Sequence, residues 1–314
     1  MSAPLEFLRI FSSKLREANI RFAITSGMAC VFYRLQQTTK DSDWIIPAED
    51  LAKLLDLLSR LEQEMPPWRV SYRLIFGVPL EAAYMALGWT RHLSIWDRAD
   101  SPEHRVDLFS KPPRVALVET GPDDPAYATR HVVAQMKRTD RPRDWPFVDG
   151  LGLQLQAQAP DLALLHIQDP IKLLDAWRRT AEQARASARK RRPLLKLLDG
   201  IQGPDQLDAW LRLERLVWET VNQERYGLYS KAWKDFFRRW RKDEGFSWPT
   251  SEPIRQQHDR LYQVVSQFGL VLDPIGEMGR EALYERALRR AALRADTTAD
   301  RIAEVQPPLE EVLP

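Results

Sequence analysis

The chain has 314 residues, with 46 lysines and arginines, 44 aspartates and glutamates, one cysteine and a formal net charge of +2. Since a single hydrophobic core rarely grows beyond about 250 residues, this length predicts two domains. The near-zero charge excludes a global attraction to nucleic acid, and the single cysteine excludes an intramolecular disulfide. No apolar run reaches the roughly 18 residues of a membrane-spanning helix, so we expect a cytoplasmic protein without a membrane partner.

The first third of the chain mixes helix and strand patterns. Apolar residues recur at helical spacing in three segments, which predicts helices at 5–15, 28–35 and 48–61. Short alternating or β-branched segments bounded by turn residues predict five strands, at 21–25, 42–46, 69–76, 88–96 and 105–109. These patterns predict a small mixed sheet with flanking helices.

The remainder of the chain shows helical patterns only, at 162–192, 194–201, 206–225, 230–242, 252–268 and 277–295. The predicted fold class is therefore α+β, with an N-terminal sheet-bearing unit at 1–160 followed by an all-helical domain at 161–295. We place the boundary near Pro160. The last residues, 296–314, are polar, acidic and proline-bearing, which predicts a mobile tail.

An ordered set of polar residues accompanies the first strands. The strand at 21–25 runs into Ser26-Gly27 and a helix, and Asp41 and Asp43 then open the second strand. Asp107 lies on a later predicted strand. Two residues that are two apart on a strand point to the same face, so Asp41 and Asp43 project together and Asp107 can join them from a neighbouring strand. The alternative interpretation is that these aspartates are functionally unrelated and lie at a solvated strand end.

Three crowded carboxylates repel one another unless cations neutralise them, and oxygen ligands suit Mg²⁺ or Mn²⁺. A turn of small residues such as Ser26-Gly27 lets backbone amides approach a phosphate, although it also describes a plain strand-to-helix turn. The pattern favours metal-assisted phosphoryl chemistry on a nucleoside triphosphate. The five histidines show no zinc-type spacing, and we assign none of them a metal role.

These residues resemble the nucleotidyltransferase superfamily, which includes DNA polymerase beta, poly(A) polymerase and the aminoglycoside nucleotidyltransferases; the nearest group is the bacterial nucleotidyltransferases related to abortive-infection toxins. The resemblance rests on segments 24–29 and 37–46 and on Asp107 within 105–109. It implies that Asp41 and Asp43 are catalytic metal ligands and that Asp107 is the third ligand or the base. It also implies that Lys172, on a helix beyond the sheet, contacts the triphosphate.

The resemblance implies transfer of an NMP from an NTP to a hydroxyl acceptor. The acceptor classes are an RNA 3′ end such as that of tRNA, a protein hydroxyl or a small antibiotic, with RNA or protein favoured, and a toxin or defence role with a cognate protein partner is a further expectation. The chain has Ser26, Gln37 and Ser42 where the family usually has glycine, arginine and an apolar residue. These differences are consistent with the alternative, a non-catalytic nucleotide- or partner-binding protein that keeps the fold.

Two basic segments remain. Segment 178–196 has little acidic compensation in the local sequence besides Glu182 and is a candidate RNA contact, or a solvated helix face; its basic residues are Arg178, Arg179, Arg185, Arg189, Lys190, Arg191, Arg192 and Lys196. Segment 231–242 interleaves basic and aromatic residues as stacking surfaces do. The helical spacing of its aromatic residues more simply predicts a buried stripe.

Overall fold

A computed structural model describes residues 3–65, 67–110, 119–121, 123–243 and 247–313. The fold is α+β, with one five-stranded mixed sheet and many helices, and its C-terminal region is helical. None of the helices in the described ranges combines the length and the hydropathy that a membrane span requires.

The sheet is built from the first third of the chain, as predicted. Its strands are β1 (Ala23–Thr25), β2 (Asp41–Ile45), β3 (Arg69–Tyr72), β4 (Thr90–Trp96) and β5 (His104–Phe109). Their spatial order is β1-β2-β5-β4-β3, in which β2 and β5 are parallel and every other neighbouring pair is antiparallel. The central position of β5 lets residues of β2 and β4 lie on either side of it.

Three of the strands are shorter than the alternating patterns predict, and one of them, β4, begins at Thr90 and not at residue 88. The predicted strand 21–25 begins only at Ala23, since the backbone N–H of Arg21 donates to the Asp50 carboxylate instead of to a strand. The predicted strand 69–76 ends at Tyr72, and the chain then turns through Phe76, whose φ is +47°. Backbone geometry of this kind is not readable from an alternating apolar pattern.

Three of the helices near the sheet form where apolar spacing predicts them, and a fourth, at Ala82–Met85, lies outside the predicted segments. They are α1 (Ala3–Glu17), α2 (Ser26–Phe32), α3 (Leu51–Glu64), which follows a short 3₁₀ turn at Ala48–Asp50, and α4 (Ala82–Met85). Helix α3 turns its leucines inward, and Leu54 and Leu58 are fully buried.

The remaining helices begin at residue 130, ahead of the predicted boundary. They are α5 (Arg130–Lys137), α6 (Trp145–Leu155), α7 (Pro160–His166), α8 (Pro170–Arg179), α9 (Glu182–Arg191), α10 (Pro204–Arg241), α11 (Ile254–Gln267), α12 (Pro274–Met278), α13 (Arg280–Arg294), α14 (Ala299–Val305) and α15 (Leu309–Val312). Short 3₁₀ helices occupy Pro142–Asp144 and Pro193–Leu197.

Helix α10 has 38 residues and replaces the two helices predicted at 206–225 and 230–242. Gly227 lies inside it without interrupting it. A glycine in a helix interior costs only about 1 kcal/mol relative to alanine. Buried side chains on both sides, including Trp218 and Trp233, continue the helical spacing across the glycine and anchor the helix to its neighbours.

Two hydrophobic cores lie on opposite faces of the sheet. On one face Trp44 and Leu108 pack with α1 and α3, and Phe11 meets Trp44 edge-on with ring centroids 5.2 Å apart. The second half of α10 and helix α11 complete this core. The other core joins α2 with α5 to α9, the first half of α10 and helices α13 to α15. Both cores therefore draw residues from either side of Pro160, which is the first residue of α7.

The C-terminal segment is packed, so the expectation of a mobile tail at 296–314 was wrong for its described part, 296–313. Helices α14 and α15 bury Ile302, Val305 and Val312. The hydroxyl of Tyr284, on α13, donates to the carbonyl of Pro307. The apolar residues of this segment are spaced among acidic ones, and they pack against α10 and α13. The overall composition of the segment does not reveal this packing.

Candidate functional site

The structure brings two of the three candidate aspartates side by side. Asp43 of β2 pairs in parallel register with Asp107 of β5, and Asp41 pairs with Arg105. Side chains at paired positions of neighbouring strands lie on the same face of the sheet, and so do residues two apart on one strand. Asp41, Asp43 and Asp107 therefore share one face, opposite to the face on which Trp44 is buried.

Asp43 is the carboxylate most affected by its surroundings. Its pKa is raised to about 7, first by burial and then by the charge of Asp107, with a smaller contribution from Asp41. Lys137 and a hydrogen bond with the Ser26 hydroxyl act in the opposite direction. The acids are thus close enough to repel one another, which is the condition that a bound cation relieves.

The Ser26-Gly27 turn lies against the segment that leads into Asp41. Ser26 adopts a left-handed φ of +53°, uncommon for a residue with a side chain. A Cβ on Gly27 would lie 2.7 Å from Thr39 Oγ1, and Gln36 Nε2 donates to the Gly27 carbonyl over 2.7 Å. Only glycine allows this approach, so the turn and segment 36–39 are fixed together beside Asp43.

Asp107 is held by two side chains that the sequence analysis did not assign to the site. His92 Nδ1 lies 2.6 Å from Asp107 Oδ1, and Arg73 Nη1 lies 3.5 Å from the same oxygen. Thr90 Oγ1 is 3.2 Å from His92 Nε2 and fixes the other edge of the imidazole. The alternating polar positions Thr90 and His92 on a predicted strand were the available signal, because they lie on one face.

Asp41 lies at the rim of the site. Its Oδ1 atom is buried and has no hydrogen-bond partner among the described residues, and Arg105 Nη1 is 4.0 Å away. A cavity of about 420 Å³ opens beside it, with Lys40, Glu103 and Arg105 in its polar lining. A buried acceptor without a donor is a position at which a cation or a hydroxyl group can bind.

Lys172, the lysine expected at the triphosphate, pairs with Asp149. Lys172 is in the first turn of α8, and its Nζ lies 3.8 Å from Asp149 Oδ2. Lys137, at the end of α5, is the lysine whose charge acts on Asp43. It is nearly buried and lies 3.3 Å from Asp144. Lys137 and Asp43 are far apart in the sequence, so no local sequence pattern shows this proximity.

The donor chemistry of the site fits Mg²⁺ or Mn²⁺, because carboxylate oxygens are hard ligands. Within the described residues, no group of three or more histidine, cysteine, aspartate or glutamate side chains is positioned to hold a metal ion. Mg²⁺ is commonly bound through one or two carboxylates together with substrate phosphates and water. Asp43 and Asp107, with the orphan oxygen of Asp41, match this kind of site and do not form a closed protein cage.

The basic segment 178–196 is more compensated than its local sequence indicates. Five of its arginines pair with carboxylates: Arg179 with Asp175, Arg185 with Glu182, Arg189 with Glu182 and Asp199, Arg191 with Glu311, and Arg192 with Glu214. The expectation of little acidic compensation was therefore wrong. Arg178, Lys190 and Lys196 remain exposed, and no described residue forms an ion pair with them.

The aromatic residues of segment 231–242 form the buried stripe that helical spacing predicts. Trp233, Phe236 and Trp240 are at most 5% exposed and belong to the core shared with α11. Phe237 is only partly buried. The basic residues of the segment lie outside this stripe.

Comparisons of the chain with models of protein families, with curated proteins and with solved structures found no match. The function is therefore argued from the geometry of the site. Its defining elements are the paired Asp43 and Asp107, Asp41 on the same face, and the Ser26-Gly27 turn in contact with Asp43.

Proposed function

We propose that the protein is a metal-dependent nucleotidyltransferase that moves an NMP from an NTP to a hydroxyl acceptor. The observation that carries the proposal is the register of two parallel strands, which sets Asp43 beside Asp107 on the face that also bears Asp41. The raised pKa of Asp43 supports it, because the acids crowd one another at a position where a cation would be stabilised.

In the proposed reaction, the acceptor oxygen forms a bond to the α-phosphorus while the bond to the pyrophosphate oxygen breaks. Pyrophosphate leaves, and the proton of the acceptor hydroxyl passes to a carboxylate or to water. When bound, Mg²⁺ or Mn²⁺ neutralises the phosphate charge and lowers the pKa of the attacking hydroxyl. Most of the protein's contribution is positioning and charge stabilisation.

The side chains around the site divide this work. Asp43 and Asp107 would hold the cation, and Asp41 would contribute its unpartnered oxygen. Arg73, 3.5 Å from Asp107, and Lys137 supply positive charge for the triphosphate. The Ser26-Gly27 turn supplies a hydroxyl and a closely approachable backbone.

A non-catalytic nucleotide- or partner-binding protein with the same site is the second candidate. It is favoured by the contacts of Asp107, whose Oδ1 atom is already bonded by His92 over 2.6 Å and approached by Arg73. A carboxylate with these two partners can stabilise the fold without a bound metal. The two candidates agree on nucleotide binding and differ in turnover.

The test incubates the purified protein with each labelled NTP, Mg²⁺, and total cellular RNA or protein. We expect one macromolecule to become labelled, and Asp43→Asn to reduce labelling at least about a hundredfold while the protein stays folded. Asp205→Asn, which changes an exposed aspartate in the first turn of α10, is the matched control. Mg²⁺-dependent NTP binding without any labelling would select the non-catalytic candidate.

Stability gives a second, activity-independent readout. The pKa of Asp43 is about 7 when folded against an ordinary 3.8. Its contribution to stability is therefore complete below pH 4 and is lost as the pH rises through 7, by up to about 4 kcal/mol. Without metal at pH 8, we expect Asp43→Asn to be more stable than the wild type, and Mg²⁺ to stabilise only the wild type. An Asn variant that Mg²⁺ stabilises equally would contradict the metal site.

A further inference from the structure

Three neighbouring strands each place one polar residue in a single row across the sheet. Asp43 of β2 is paired with Asp107 of β5, and Asp107 is paired with His92 of β4. Side chains at paired positions project to the same face of the sheet. Asp107 therefore has a second carboxylate on one flank and an imidazole on the other.

The imidazole of His92 is fixed at both of its nitrogens. Nδ1 lies 2.6 Å from Asp107 Oδ1, and because a carboxylate accepts hydrogen bonds, Nδ1 is the donor. Nε2 lies 3.2 Å from Oγ1 of Thr90, which is two positions earlier on the same strand and on the same face. The Thr90 hydroxyl can donate to Nε2, so both ring nitrogens of a neutral imidazole have partners. The ring cannot turn without losing one of these contacts.

Arg73 approaches the same oxygen of Asp107 from the end of β3. Its Nη1 atom lies 3.5 Å from Oδ1, a longer contact than that of His92. The backbone N–H of Arg73 donates to the carbonyl of His92 over 2.9 Å. The carbonyl of Arg73 accepts from the fully buried Arg91 over 2.7 Å. The backbone of Arg73 is thus fixed relative to His92, and both donors reach Asp107 from the side away from Asp43.

The two oxygens of Asp107 have different surroundings. A carboxylate oxygen accepts about two hydrogen bonds. His92 and Arg73 both direct a donor at Oδ1, whereas none of the described residues donates to Oδ2. Oδ1 is therefore used within the protein, and Oδ2 is the oxygen that Asp107 can offer to a ligand.

The neighbouring carboxylate makes this restraint consequential. The charge of Asp107 is the second largest cause of the raised pKa of Asp43, so the two groups repel each other. An aspartate without a fixed donor would turn away from such a neighbour, and a cation would have to bring it back. A bond to Oδ1 keeps Asp107 beside Asp43 before a cation arrives.

We propose that His92, held in turn by Thr90, is a positioning residue for the cation site: it fixes Asp107 through Oδ1 so that Oδ2 alone binds Mg²⁺ or Mn²⁺. The inference rests on the metal site of the proposed function. Hydrogen-bond partners behind a ligating side chain orient it, and their removal commonly costs about 10–100-fold in metal affinity. The contact that can stabilise the fold without metal thereby also presents the remaining oxygen.

The test titrates the full chain with Mn²⁺ alone and measures free Mn²⁺ by its electron paramagnetic resonance signal. His92→Leu removes the donor and keeps an apolar side chain, and it should weaken Mn²⁺ binding at least about tenfold. His92→Asn places an amide donor near the position of Nδ1, and it should bind Mn²⁺ within about threefold of the wild type. Rescue by asparagine separates the hydrogen bond from the volume of the ring.

Two further variants complete the comparison. Thr90→Val keeps the shape of the threonine, frees the ring of His92 at Nε2, and should weaken Mn²⁺ binding about two- to fivefold. The matched control is His258→Leu, which breaks another imidazole–carboxylate contact, of 3.1 Å to Glu81, on α11. It should change the Mn²⁺ affinity less than about twofold. Melting temperatures in EDTA show which variants are folded, and Thr90→Val provides the result if His92→Leu does not fold.

Three outcomes would overturn the positioning role. They are an unchanged Mn²⁺ affinity in folded His92→Leu or Thr90→Val, a loss in His92→Asn as large as in His92→Leu, and an equal loss in the His258→Leu control. A role in stability alone would lower the melting temperature of His92→Leu and leave its Mn²⁺ affinity unchanged.

The labelling assay separates this inference from the proposed function. Mn²⁺ binding that depends on His92, with no nucleotide transfer by the wild type, would refute the transferase and leave the positioning role standing. Transfer that requires Asp43, with Mn²⁺ affinity unaffected in His92→Leu, would refute the positioning role and leave the transferase standing. A wild type that binds no Mn²⁺ would also overturn the positioning role, and labelling would then decide the transferase by itself.

Discussion

The two basic segments, 178–196 and 231–242, have similar charge in the sequence and opposite surroundings in the structure. In the first, carboxylates neutralise five arginines, and Arg192 is buried with Glu214 at 2.6 Å. In the second, Lys234, Arg238, Arg241 and Lys242 are exposed, and among the described residues only Arg238 of these four has an acidic partner.

This difference shows that a run of basic residues predicts a polyanion-binding site only when the carboxylates that pair with it in the folded protein are known. Glu214 lies 22 positions after Arg192, and Glu311 lies 120 positions after Arg191. Packing of α10 and α15 against α9 brings these carboxylates in. Most arginines of the first segment are therefore paired with carboxylates, whereas Lys234, Arg238, Arg241 and Lys242 of the second segment are exposed.

The largest effect expected from this contrast is on stability. Arg192→Ala leaves Glu214 buried without its partner and leaves the carbonyls of Leu164 and Ile167 without a donor. We expect a loss of about 3–5 kcal/mol in the free energy of unfolding, measured by urea denaturation. Lys242→Ala, at an exposed position, should change the free energy of unfolding by less than about 0.5 kcal/mol. Similar values for both variants would remove the distinction between the segments.

The pH dependence of stability should also separate the segments. His131 lies beside His166 and Arg191, and its pKa is lowered to about 4 from 6.5, first by burial and then by Arg191. Because the unfolded chain binds the proton more tightly, this contribution is complete above pH 6.5 and is lost as the pH falls towards 4. The loss should reach about 1–3 kcal/mol.

Urea denaturation at several pH values between 4 and 7 measures this loss. His131→Gln should flatten the profile in that interval, whereas Lys242→Ala should leave its shape unchanged. A His131→Gln profile as steep as that of the wild type would show that protonation of His131 does not act on the packed segment.

The smallest effect concerns the C-terminal helix. Glu311 accepts from Arg191 at 2.5 and 3.0 Å and from Gln135 at 3.2 Å, whereas the neighbouring Glu310 is exposed. Glu311→Gln should reduce the free energy of unfolding by about 1–2 kcal/mol, and Glu310→Gln should leave it nearly unchanged. Thermal unfolding of the two variants side by side measures the difference. Equal melting temperatures would indicate that the segment at 296–313 is not anchored through this carboxylate.

Local pattern predicted much of the sheet and part of the candidate site. The five strands fall within the predicted segments or a residue beyond them, and the spacing of Asp41 and Asp43 places both on one face, because side chains alternate along any strand. His92, Arg73 and Lys137 were not found. Each of these residues reaches the site through strand order or helix packing. The spacing of nearby residues does not encode strand order or helix packing.

The sequence by itself determined the approximate positions of the strands and of many helices, which of their faces are apolar and that two aspartates project together, since these follow from backbone periodicity within a few residues. Only the tertiary structure decided that Asp107 lies beside Asp43, that the charge of Lys137 acts on Asp43, and that carboxylates pair with five arginines of segment 178–196. These outcomes depend on contacts between residues far apart in the chain, and such contacts are selected by the packing of whole elements.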